Sequence, residues 1–134
     1  MAASLVVKDY MNKAPLTATP DTEVEDLIKL ILKHKVSGLV IADENNNFIG
    51  VVSELDCLRS MSDSLYHDGT SAQAMTAKDI MTTEVMTTTP NASLLDIVVS
   101  MLKEGQRRRP VLEDGKLVGQ ATCRQLLKAI SSFA

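Results

Sequence analysis

Apolar positions recur along this chain in two rhythms, and the order of those rhythms is the same twice. Val24, Leu27, Ile28, Ile31 and Leu32 fall at i, i+3, i+4, i+7 and i+8, the stripe of an amphipathic helix. Thr22 followed by Glu25 reads as a capping box that starts this helix. Two short apolar runs follow, Leu39–Ala42 and Phe48–Val52, separated by the polar stretch Asp43–Asn47. Runs rich in β-branched residues around an Asn-rich turn predict a β-hairpin. A second helix is expected from Glu54 to about Met61.

The second half repeats the series. Leu94, Ile97, Val98, Met101 and Leu102 form the stripe, with Asn91 or Ser93 as its cap. Pro110–Leu112 and Leu117–Gly119 flank Glu113–Lys116, in which Asp114-Gly115 is a good tight-turn pair. The closing helix is expected from Cys123 to about Ile130. A short strand is expected ahead of each first helix, near Leu16–Ala18 and near Met86–Thr88.

The likeness extends to residue identity. KDYMNKAPLTATP opens the first copy and KDIMTTEVMTTTP the second, so that residues 8–35 align with 78–105. Residues 36–61 then align with 106–130 after one deletion in the turn. A fixed internal offset is the mark of a duplicated unit. The expected fold is α+β: two β-α-β-β-α repeats packed around a pseudo-twofold axis. Residues 1–61 hold the first repeat with its N-terminal segment, 62–77 a polar connector with helical ends, and 78–134 the second repeat. A single repeat would bury little surface alone, whereas two can cover each other.

Composition narrows the function. The net charge of −3 disfavours a general nucleic-acid binder, which carries a basic excess. Tyr10, Phe48, Tyr66 and Phe133 are the only aromatic residues, too few for base-stacking platforms. No apolar run reaches the roughly 20 residues that cross a bilayer, and MAASLVVKDYM lacks a basic-then-apolar leader, so a cytoplasmic protein is expected. Cys57 and Cys123 have neither CxxC spacing nor a His partner, which predicts reduced thiols and no metal site. Neither His34 nor His67 has a nucleophile or metal partner in the pattern, so no catalytic residue is assigned.

The repeats differ most where each hairpin runs into its second helix: GVVSELD at 50–56 and GQATCRQ at 119–125. Each has a hydroxyl residue, Ser53 or Thr122, three positions ahead of a polar one, but only the first ends in a carboxylate, Asp56. Both are capping boxes on their face. A carboxylate at a helix start can also accept two hydrogen bonds from a cis-diol.

A tandem of such units, each with a KD-M opening and a G-x-x-[ST]-x-x-polar ending, resembles a pair of CBS domains (a Bateman module) over residues 8–130. The resemblance implies a stand-alone regulatory module rather than an enzyme. It implies two clefts between the repeats for an adenosine-containing ligand: AMP or ATP first, ADP or S-adenosylmethionine next. It implies no required cofactor, a homodimer, and an effector protein of unknown identity. In the first cleft, Ser53 and Asp56 would grip the ribose. Met86, Gln106 and Arg107 would wall the base, and Ser37 and Gly38 would take the phosphate positions. In the second, Thr122 and Gln125 occupy the sugar position, Leu16 and Val36 the base wall, and Arg107 and Arg108 the phosphate positions. Arg107, Arg108 and Arg109 alternate in direction along a strand, so they cannot all reach one phosphate. Two rival readings remain open. One is a ligand-free dimerisation scaffold, favoured by Gln125 and the uncharged Ser37 and Gly38. The other is a nucleotide hydrolase, which lacks a P-loop and a nucleophile–base pair.

Overall fold

The computed structural model describes residues 5–67 and 75–133, without the side chains of Ser64 and His67. The elements run in the order β1 (Thr17–Ala18), α1 (Val24–His34), β2 (Gly38–Ala42), β3 (Phe48–Ser53), α2 (Glu54–His67), α3 (Ala77–Ile80), α4 (Leu94–Glu104), β4 (Arg108–Glu113), β5 (Lys116–Thr122) and α5 (Cys123–Ser131). A turn of 3-10 helix, Val7–Asp9, precedes them. The connector is helical as far as His67, and its residues 68–74 lie outside the described part.

The chain divides into two compact units, Leu16–Val85 on one side and the residues up to Pro15 together with those from Met86 onward on the other. These units cut across the repeat. The opening of each copy packs with the hairpin of the other. Asn12 exchanges both backbone hydrogen bonds with Gln120 at 2.9 Å, and Thr82 exchanges both with Val51 at 2.9 and 3.0 Å. Val7 and Lys8 N–H donate to the Ala92 and Pro90 carbonyls, just as Ala77 and Lys78 N–H donate to those of Thr22 and Pro20.

Two glycines make room for these crossings. A Cβ on Gly50 would stand 2.6 Å from the Thr82 carbonyl oxygen, and one on Gly119 would stand 2.9 Å from that of Asn12.

In the Leu16–Val85 unit, β1 pairs parallel with β2 and β2 antiparallel with β3. Leu27, Ile31, Leu39, Ile41, Val52, Cys57 and Ala77 form its core. In the other unit β4 and β5 form an antiparallel pair over a core of Val7, Leu94, Ile97, Met101, Val111, Ala121, Leu126 and Ala129. Both hairpins shift register at the equivalent step, between Ile41 and Ala42 and between Val111 and Leu112. Asp114 and Gly115 close the second hairpin as its two loop residues, with φ of 53° and 79°. Positive φ at both loop residues is what a two-residue loop needs to follow the twist of the strands.

Two expectations are corrected. The Thr22–Glu25 capping box does not form: α1 begins at Val24 with Glu23 as its N-cap and no side-chain cap. The Val24 N–H is satisfied by the Met75 carbonyl at 3.0 Å, and the Thr22 hydroxyl accepts from Thr19 N–H at 3.2 Å instead. The strand expected at Met86–Thr88 shrinks to a bridge between Thr88 and Val111. Its counterpart β1 is itself only two residues long. In α4, Ser93 rather than Asn91 supplies the cap, accepting from Asp96 N–H at 3.4 Å.

Candidate functional site

The site is built twice, once at the start of α2 and once at the start of α5. At α2, Ser53 N–H donates to Asp56 Oδ2 at 2.9 Å, and Asp56 N–H donates to Ser53 Oγ at 3.1 Å. Two backbone donors that the helix leaves without partners are thus satisfied reciprocally. At α5, Thr122 N–H donates to Gln125 Oε1 at 3.0 Å, and Gln125 N–H to Thr122 Oγ1 at 3.3 Å. The box therefore tolerates either an amide or a carboxylate. The sequence difference is confined to charge.

Asp56 is only 9% exposed. Its second oxygen, Oδ1, accepts from Arg59 at 3.3 Å, a residue one helical turn on whose side chain is 69% exposed. An ion pair with so exposed a partner is weak. A carboxylate also has about four lone-pair sites, of which two are used here. Asp56 can thus accept further hydrogen bonds without giving up the cap. Arg59 was not assigned from the sequence, although its i, i+3 spacing from Asp56 on an expected helix is the signal that finds it.

Ser37 and Gly38 lie beside this box. Gly38 pairs with Ser53 across β2 and β3, and the Glu54 N–H donates to the Ser37 carbonyl at 2.9 Å. A Cβ on Gly38 would stand 2.5 Å from the Val52 carbonyl oxygen, so only glycine fits there. Leu16 and Val36 are half-buried against the same core. Cys57, next to Asp56, is buried, and burial raises its thiol pKa, with Asp56 and Glu54 adding to the rise.

The other unit gathers the second set. Arg108 pairs with Thr122 across β4 and β5, and Cys123 N–H donates to the Arg107 carbonyl at 3.1 Å. Gln106 is held at both ends of its amide. Its Nε2 donates to the Met86 carbonyl at 3.1 Å, and its Oε1 accepts from Arg109 Nε at 2.8 Å. Arg109 is 3% exposed and has no carboxylate partner among the described residues. Burial lowers its pKa, opposed by Glu104. The basic triplet thus separates: Arg109 is buried, Arg108 half-buried and Arg107 exposed. Ser53, Asp56, Ser37, Gly38, Leu16 and Val36 come together in one unit, and Met86, Gln106, Arg107, Arg108, Thr122 and Gln125 in the other. Among the described residues no group of His, Cys, Asp and Glu is placed to hold a metal ion.

The CBS domain family model matches this chain twice, over residues 7–63 and 77–132. The chain belongs to the CBS-domain family. CBSX2, a chloroplastic CBS domain-containing protein of Arabidopsis thaliana, is 32% identical over 133 residues, covering 82% of this chain and 56% of that protein. A crystal structure of CBSX2 in complex with AMP superposes with a TM-score of 0.86 at 28% identity, over 97% of this chain and 98% of that one. The uncharacterized protein MJ1225 of Methanocaldococcus jannaschii is 27% identical over 126 residues, or 94% of this chain and 43% of that protein. The CBS domain pair of protein MJ0100 has the same fold, with a TM-score of 0.78 at 24% identity over 96% of this chain and 98% of that one. The CBS repeats therefore span about half the length of CBSX2 and MJ1225.

Proposed function

We propose that this CBS pair is a regulatory module that binds an adenosine-containing ligand, with Asp56 as the acceptor for the ribose hydroxyls. The observation that carries this reading is the state of Asp56. It is a nearly buried carboxylate fixed by Ser53 N–H, with a second oxygen engaged only by the exposed Arg59. The AMP complex of CBSX2, at 28% identity over nearly the whole of both chains, supports the ligand class.

In this reading the ribose diol donates to Oδ1 of Asp56 and displaces Arg59, while Oδ2 keeps the cap. Charge-assisted bonds of this kind contribute about 1.5–3 kcal/mol each. Ser53 holds the box, and Ser37 with Gly38 offers an uncharged surface to the phosphate. A second, weaker site uses Thr122 and Gln125 for the sugar and Arg107 and Arg108 for phosphate. AMP and ATP are the first ligands to test, then ADP and S-adenosylmethionine. Binding regulates by linkage: the ligand shifts an equilibrium by its affinity difference between two states. The module performs no catalysis and needs no cofactor. It acts as a cytoplasmic homodimer that passes its state to an effector protein, without contacting nucleic acid or membrane.

Thermal unfolding with AMP, ATP and S-adenosylmethionine tests this. A ligand at 100 times its Kd adds about 2.7 kcal/mol of stability. A second reading, a ligand-free scaffold, is favoured by the complete reciprocal box at both helix starts, which accounts for Asp56 by capping alone. No shift with any adenine compound would select the scaffold.

A further inference from the structure

One buried amide stands without a partner. Gln120, in the middle of β5, is 7% exposed. Its Oε1 is the one sealed side-chain polar atom with no hydrogen bond among the described residues, and its Nε2 has no partner among them either. The backbone of Gln120 is fully engaged, exchanging both hydrogen bonds with Asn12 at 2.9 Å. The Asn12 side chain is used elsewhere, its Oδ1 accepting from Ala14 N–H at 3.0 Å. Two other glutamines of the same unit are pinned: Gln106 by the Met86 carbonyl and Arg109, Gln125 by Thr122. A sealed, unpaired amide costs stability. The first repeat avoids that cost, since Val51 holds the position that Gln120 holds in the second. A buried polar atom left in this way needs a reason outside packing.

The position of Gln120 on the strand supplies one. Side chains alternate along β5, so Gln120 and Thr122 share a face, while Ala121 between them turns into the core. Across the ladder Thr122 pairs with Arg108 and Gln120 with Pro110. One face of the β4–β5 pair therefore carries Arg108 and Thr122 in one row and Pro110 and Gln120 in the next. Two residues along a strand cover about 7 Å, comparable to the span from a ribose to the far edge of its base. With the sugar at Thr122, the Gln120 amide stands where that edge falls.

We infer that Gln120 reads the base at the Thr122 site: Oε1 accepts from the exocyclic amino group of adenine, and Nε2 donates to a ring nitrogen. This rests on the second site of the reading above. Adenine offers a donor and an acceptor side by side, and a glutamine amide matches the pair. A site built this way rejects the analogue without the amino group, because its own acceptor is then left unpaired. The Asp56 site has Val51 at this position and offers the amino group no such side-chain acceptor.

Calorimetric titration in the Asp56→Gln background, which weakens the first site, tests this with AMP and with purine riboside 5′-monophosphate, the same nucleotide without the amino group. With Gln120 in place, AMP is expected to bind about tenfold or more tightly than the analogue. Adding Gln120→Val, the first repeat's residue, or Gln120→Met should bring the two ligands within about twofold of each other. Both variants should also unfold at higher urea than their parent when no ligand is present. A preference for AMP that survives both substitutions overturns the inference. So does unfolding at lower urea, which would give the amide a structural partner. Failure of Asp56→Gln to bind AMP overturns the second site together with Gln120 and leaves the Asp56 site standing. Failure of the native chain to bind AMP contradicts the nucleotide reading itself.

Discussion

The starts of α2 and α5 are one device made with two chemistries. Ser53 with Asp56 and Thr122 with Gln125 make the same reciprocal hydrogen bonds within 0.2 Å of each other. Capping therefore does not require the carboxylate. What the first site has and the second lacks is a negative charge, kept nearly out of water and engaged on its outer oxygen by an exposed arginine. The comparison separates a structural role, shared by both repeats, from a charge present in one.

The largest effects are expected where each repeat's opening crosses the other's hairpin. A Cβ on Gly50 would meet a backbone carbonyl at 2.6 Å, whereas the nearest atom to one on Gly119 would be the flexible Met11 sulfur, with the Asn12 carbonyl at 2.9 Å. Gly50→Ala should cost about 1–3 kcal/mol and Gly119→Ala less, read by urea denaturation. Equal costs would mean that the crossings differ less than the contacts suggest. Next comes the buried guanidinium. Removing the amide with Gln106→Ala leaves Arg109 Nε without its acceptor, although Nη2 keeps the Met86 sulfur at 3.9 Å, and should cost about 1–3 kcal/mol. Adding Arg109→Leu, the residue that Leu39 supplies in the first repeat, should recover most of that loss. Failure to recover would give Arg109 a role besides packing.

The caps themselves should cost less. Asp56→Ala and Gln125→Ala each remove one side of a box, for about 1 kcal/mol or below. Similar losses in the two variants would support equal structural roles. The smallest effect is alkaline. Cys57 has a raised pKa in the folded protein because of burial and then Asp56 and Glu54, while Cys123 is exposed. The unfolded chain loses the Cys57 proton first, near pH 8.5, so folded stability declines as the pH rises from there towards the raised value. Cys57→Ala should flatten that decline. Iodoacetamide should modify Cys123 well ahead of Cys57, and equal rates would contradict the burial.

Much of this was legible in the residues. The helical stripes, the two hairpins, the Asp114-Gly115 loop and both boxes follow from periodicity and turn chemistry, which act locally. The Thr22–Glu25 box did not follow, because Thr22 is drawn into a turn with Thr19 and the helix start is satisfied by Met75, from a distant part of the chain. The exchanged openings were not legible either. Lys-Asp-x-Met occurs identically in both copies, so the residues carry no label for which hairpin each opening crosses. Strand alternation separates neighbouring side chains, yet only the packing decides that Arg109, rather than Arg108, is the buried one.

The most direct test of the central claim is AMP titration by calorimetry of the native chain, Asp56→Gln and Gln125→Asp. Asp56→Gln recreates the second repeat's box, so unfolding should change by less than about 0.5 kcal/mol while affinity falls about tenfold or more. Gln125→Asp should gain affinity at the second site. Unchanged AMP affinity in Asp56→Gln would contradict the assignment of the ribose to Asp56.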